Sequence, residues 1–137
     1  MRILVIRSGS GWGGIYGCCI FDTKNKVCID IQKCYNITKD PIYYHYDNTE
    51  GIINLSLSKF PKKAIMPFTL DISLLEFFLP NCELEYRDEC LFDQQIDHVY
   101  ISKSNKQIEC VLDTDEGFWP KNPALNAKLR KLIELVN

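Results

Sequence analysis

Residues 96–113, IDHVYISKSNKQIECVLD, carry the pattern on which the fold turns. Two β-prone runs, 96–102 and 107–113, flank the turn-forming triplet Ser104-Asn105-Lys106, which predicts an antiparallel hairpin. Ile108, Cys110 and Leu112 alternate along its second arm and are expected to face a core, with Glu109 and Asp113 outward. Downstream, Asn122 is placed to cap a helix and Pro123 occupies its first turn. Leu125, Leu129, Leu132, Ile133 and Val136 then recur at helical spacing, with Lys128, Arg130 and Lys131 on the other side. A hairpin followed by an amphipathic helix predicts a sheet with a helix lying across one face.

Upstream, the same logic extends the sheet. Residues 2–7 read as an apolar strand followed by a glycine-rich loop, Ser8 to Gly14. Residues 15–22 and 27–33 read as a hairpin joined by Thr23-Lys24-Asn25-Lys26. In its second arm Val27, Ile29 and Ile31 alternate with Cys28, Asp30 and Gln32, the period of a half-buried strand. The β-prone run 42–46 ends in the turn signal 47–51, which makes 52–57 a candidate partner strand. Between Pro61 and Pro67 the chain turns with Lys62-Lys63. Thr69, Leu70, Leu74, Phe77 and Pro80 then predict a short middle helix over 70–79, and 82–92 reads as strand. Short spacings between strands favour antiparallel pairing. The expected class is α+β: a mainly antiparallel sheet built from hairpins, a short middle helix and a C-terminal amphipathic helix.

Composition sets the outer bounds. A chain of 137 residues is expected to form one domain over 1–137. Apolar residues make up 46% and the net charge is −2, which together argue against disorder. The apolar run Ile3 to Ile6 is too short for a signal peptide, and no window approaches a membrane span. Seven cysteines, an odd number that includes the adjacent pair Cys18-Cys19, argue against a disulfide framework. The expectation is a cytoplasmic protein with reduced thiols.

Motifs that carry chemistry are sparse. Gly9, Gly11 and Gly14 satisfy G-x-G-x-x-G after a strand, and Asp30 lies at the distance of a ribose-binding acid. That motif requires a helix over roughly residues 12–25 to present its N–H groups to a pyrophosphate. The span contains Gly13, Gly14, Gly17 and a polar turn instead, and Trp12 sits at the loop centre. His45 and His98 lie in strand-like segments with no spacing that pairs them to a nucleophile. No cysteine or histidine spacing suggests a metal, and no cofactor is expected.

Charge is distributed more tellingly. Residues 83–116 carry ten acidic and three basic side chains, net −7, while the flanking segments are net positive. Glu83, Glu85, Asp88, Glu89, Asp93, Asp97, Asp113, Asp115 and Glu116 are candidates for one acidic surface, with Phe118 and Trp119 following directly as anchors. Tyr86, Phe92 and Tyr100 are further aromatic candidates. An acidic field repels nucleic acid and attracts a basic protein. Two readings follow. The first is a non-enzymatic inhibitor of the immunity-protein type that neutralises a basic protein such as a nuclease toxin. The second is a small enzyme or nucleotide-binding protein using the loop over residues 8–14 (Gly9, Gly11, Trp12 and Gly14). The tyrosine-rich run 43–46 also leaves a homo-oligomer open.

Overall fold

A computed structural model of the chain describes residues 1–9, 15–34, 49–69, 71, 73, 83–87, 96–103, 106–112 and 117–136. The first strand, β1 (Arg2–Ser8), lies in the middle of a sheet. On one side it pairs with β2 (Ile15–Asp22), which continues through a hairpin into β3 (Val27–Asp30). On the other it pairs with β6 (Ile96–Lys103), itself joined to β7 (Lys106–Leu112). With β4 (Ile65–Pro67) on the outside of β3, the order is β4-β3-β2-β1-β6-β7, and every neighbouring pair is antiparallel. A separate ribbon pairs β5 (Leu84–Arg87) with β8 (Gly117–Pro120). Two α-helices are described, α1 (Thr49–Ile53) and the C-terminal α2 (Pro123–Glu134). The α+β class expected from the hairpins and the terminal helix is therefore met.

The uninterrupted Ile3-Leu4-Val5-Ile6 run has a plain cause: both faces of β1 are covered. Side chains alternate across a strand. Ile3 and Val5 pack with Cys19, Phe21, Val99 and Ile101 beneath Leu125, Leu129, Leu132 and Ile133 of α2. Leu4 and Ile6 pack on the opposite face with Cys18, Ile20 and Ile29, under Ile52, Ile53, Phe60 and Ala64. A strand buried on both sides reads as continuous apolar sequence rather than alternation.

Arg2 and Arg7 bracket that run and, five positions apart, serve opposite faces. Arg7 donates from Nη1 to the carbonyls of Ile133 (3.2 Å) and Val136 (2.9 Å), at the end of α2. Arg2 donates from Nη1 to the carbonyls of Ile53 (3.1 Å) and Leu55, where α1 ends. The last carbonyls of a helix lack intrahelical partners and a cation there is favoured. One strand thus terminates both covering helices.

The start of α2 follows the expectation from sequence. The side chain of Asn122 accepts hydrogen bonds from the N–H groups of Ala124 (2.9 Å) and Leu125 (3.3 Å), with Pro123 in the first turn. Asn122→Ala should lower stability by about 1 kcal/mol, read as a shift in the urea midpoint at constant slope.

Three local expectations are corrected. The strand expected over 27–33 stops at Asp30, and Ile31–Cys34 is a 3-10 turn. The carboxylate of Asp30 takes the Gln32 N–H at 3.0 Å, and its carbonyl accepts from the Cys34 thiol at 3.3 Å, which diverts the chain from the ladder. The turn also sends Ile31 and Cys34 into the same cluster. The partner strand expected over 52–57 is instead the end of α1 followed by a 3-10 turn, Leu57–Lys59. Adjacent Ile52 and Ile53 are both buried in one cluster, which a strand would forbid because neighbours point to opposite faces. Finally, residues 65–67, expected as part of a turn, form the edge strand β4, and Pro67 sits at its end, where no ladder N–H is lost. The strand expected over 42–46 lies outside the described residues. So does the middle helix over 70–79, apart from Asp71, Ser73 and the expected cap Thr69.

Candidate functional site

The β5–β8 ribbon is where the acidic segment meets the aromatic pair. Its register sets Leu84 opposite Pro120, Glu85 opposite Trp119, Tyr86 opposite Phe118 and Arg87 opposite Gly117. The first of these rungs is the attachment: Leu84 packs against the α2-side core and Pro120 is buried where the chain enters α2. On the third, Tyr86 is 52% exposed, a large side chain that the core does not claim. Between them Glu85 is half-buried.

The end of the ribbon next to α2 carries a cation that the charge count along the chain obscured. Lys121 donates from Nζ to the Glu83 carboxylate at 2.8 Å, and its N–H bonds the Glu83 carbonyl at 2.9 Å. The hydrogen bond and the charge of Lys121 hold the Glu83 carboxyl below its usual range, and the same contacts raise Lys121. Both groups are exposed, so the pair adds little to stability. It does change the field: the charge of Glu83 is offset by Lys121 at the surface, while Glu85 stands on the rung with Trp119.

One other predicted member is placed elsewhere. Asp97 belongs to the central sheet, in register with Arg7 on one side and Leu112 on the other, so its backbone is not part of the ribbon. Asp88, Glu89, Asp93, Asp113, Asp115 and Glu116 lie outside the described residues, as do Phe92, Gly11, Trp12 and Gly14. Gly9 directly follows β1. The chain resumes as β2, antiparallel to β1, so residues 15–22 form a strand where a G-x-G-x-x-G site needs a helix. No family model, curated protein or solved structure matches the chain.

Nucleophile and metal chemistry find little purchase. His45 is outside the described residues, and His98 lies within β6, stacked on Tyr100 with ring centres 6.3 Å apart. Cys18, Cys19, Cys28 and Cys34 are free, buried thiols, and the adjacent Cys18 and Cys19 enter opposite clusters as expected. Burial pushes Cys18 up and carries Cys34 to about 11, while Cys19 is raised by its hydrogen bond with Cys28 and then by burial. These three remain protonated at neutral pH and lack the thiolate a nucleophile needs. Among the described residues no cluster of His, Cys, Asp or Glu could hold a metal ion. No described helix is long and apolar enough to cross a membrane.

A second feature escaped the sequence reading. At the start of β1, a surface cleft of about 330 Å³ opens between the β2–β3 turn, the loop after α1 and the end of β6. Arg2 and Asp22 face each other across the β1–β2 ladder, and Nε of Arg2 meets the Asp22 carboxylate at 3.0 Å. Asp22 also accepts from the backbone N–H (2.9 Å) and side-chain amide (3.0 Å) of Asn25. These bonds tighten the turn, which closes with Lys26 in the left-handed region at φ 56°. Burial alone would raise the Asp22 carboxyl, but the Asn25 and Arg2 contacts outweigh it and hold the group below its usual range. The only hint in the sequence is that a basic and an acidic residue end two apolar strands on the same side of the sheet.

Proposed function

We propose that this chain is a non-enzymatic binding protein, an inhibitor of the immunity-protein type, which covers a basic protein such as a nuclease toxin with the surface built by residues 83–119. The observation that carries the reading is the register of the ribbon: it sets Glu85 opposite Trp119 and Tyr86 opposite Phe118, and Tyr86 is 52% exposed. Glu85 and Tyr86, neighbours on a strand, present to opposite faces of the ribbon, and both a carboxylate and an exposed tyrosine suit a cationic partner. The charge steers encounter, and a tyrosine supplies contact area and a hydroxyl at low entropic cost. The net charge of −7 over residues 83–116 supports the same sign of partner. The strand at 15–22 weighs against the nucleotide-binding alternative, since it occupies the place of the required helix.

The test is capture from a lysate of the source organism with the tagged chain at low and high salt, run beside the Glu85→Lys/Tyr86→Ala variant. A stoichiometric basic partner should be retained at low salt, released at high salt, and lost by the variant. Loss of the exposed tyrosine together with reversal of the Glu85 charge should weaken binding by about 100-fold or more. A partner held equally by the variant, or one that is acidic, would sink the proposal.

A further inference from the structure

The cleft at Arg2 is chemically distinct from the ribbon. We infer that it binds a small molecule bearing an oxyanion, a phosphate or a carboxylate group, between Arg2 and Lys24.

Charge within the cleft decides the sign of the ligand. Asp22 is the one described acid among its lining residues, and both of its oxygens are occupied by Arg2 and Asn25. Arg2 and Lys24 both line it, so the balance is positive. A guanidinium has five N–H donors. Nε of Arg2 is given to Asp22 and Nη1 to the carbonyls of Ile53 and Leu55, while Nη2 has no hydrogen-bond partner among the described residues. Arg2 lines the cleft with 17% of its side chain exposed. It can offer that edge without giving up its structural bonds.

The geometry is also set in advance. Arg2 is fixed by three hydrogen bonds and by Phe60, whose ring centre lies 6.0 Å from the guanidinium carbon. An immobile fork loses little entropy when it takes an oxyanion. Ser56 adds a hydroxyl from the loop after α1, while the Ser102 hydroxyl donates its proton to Asn54 Oδ1 at 3.0 Å and holds that side of the cleft in place. The cleft has the volume of a small-ligand site, at the lower end of the range of about 300–1,000 Å³. Lys24 is exposed on the hairpin turn and makes no ion pair among the described residues. The arrangement is a fixed arginine fork, an exposed lysine, and a hydroxyl from the loop after α1.

The experiment is a titration of the whole chain, followed by backbone amide NMR, with inorganic phosphate in one arm and citrate in the other at constant ionic strength. Saturable shifts are expected at Asn25, Ser56 and Ser102. Lys24→Gln, an exposed change that leaves Arg2 in place, should weaken the apparent Kd about fivefold. Lys128→Gln, on α2 across the sheet, should leave it unchanged. Tighter binding of phosphate assigns the site to phosphate esters, and tighter binding of citrate assigns it to carboxylates. Shifts that follow all lysines without saturation, or a Lys24→Gln affinity equal to that of the parent chain, would overturn the inference.

Discussion

Leu129→Ala is expected to lower the unfolding free energy by about 3–5 kcal/mol, among the largest effects of a single truncation on the helix side. Leu129 is fully buried at the middle of α2, between Leu125 and the pair Leu132 and Ile133. The methyl groups removed would leave a space above Val5 and Val99 of the sheet, in the same cluster. How much such a site costs depends on how far its surroundings can collapse. Here the helix is pinned at both ends, by the Asn122 cap and by Arg7 on the carbonyls of Ile133 and Val136. Settling toward the sheet would strain those bonds, which places the expected cost in the upper part of the range. Urea unfolding should show a lower midpoint with an unchanged slope. Leu135, 55% exposed at the C-cap of the same helix, supplies the contrast: its alanine variant should stay within about 0.5 kcal/mol of the parent. Equal effects at the two positions would mean that α2 does not pack as described.

Asp22→Ala should cost a comparable amount, about 3–5 kcal/mol, because it strands a partly buried guanidinium and breaks the hairpin turn at once. The Asp22 side chain is 4% exposed and that of Arg2 17%, so solvent replaces little of what is lost. Removal also deletes both bonds from Asn25. The same group dictates a pH dependence. Its folded-state pKa lies below the unfolded value of about 3.9. The ionised carboxylate therefore contributes stability that is fully present above the unfolded value. That contribution disappears as pH falls through the folded one. Thermal melts should show a Tm that is flat from neutrality to about pH 5 and then declines. In Asp22→Asn the decline should be shallower, although the variant starts lower. Asp71 and Glu83 are also held below the ordinary range, Asp71 by Ser73 and Glu83 by Lys121, but both are exposed and should add little to the acid limb. An identical acid decline in Asp22→Asn and the parent would remove Asp22 from the account.

What could be read in advance divides along a physical line. The hairpin at 96–112, the strands at 2–8 and 15–22 and the helix from Pro123 were legible because each carries a period or a cap within its own residues. The segments over 31–34 and 49–53 were not, because long-range burial chose between local options of similar merit. Ile52-Ile53 reads as β-prone until both side chains must enter the same cluster. Strand β4 has three residues, too few to show a period.

The candidate site divides in the same way. The abundance of acid over 83–116 is plain from composition, but the pairing of Glu83 with Lys121, 38 positions apart, depends on the β5–β8 ladder. The cleft depends on a contact between Arg2 and Asp22, twenty positions apart, and on the loop that Arg2 recruits from residues 53–55. Neither pairing leaves a local mark. Arg2 alone would read as a charge at a strand end.

The most direct measurement of the central claim is amide hydrogen exchange of the full chain with and without the basic partner recovered at low salt. The account predicts added protection in peptides covering 84–87 and 117–120, with exchange at 49–59 and at the cleft unchanged. Protection confined to the α1 face or to the outer surface of α2, with the ribbon exchanging as freely as before, would contradict it.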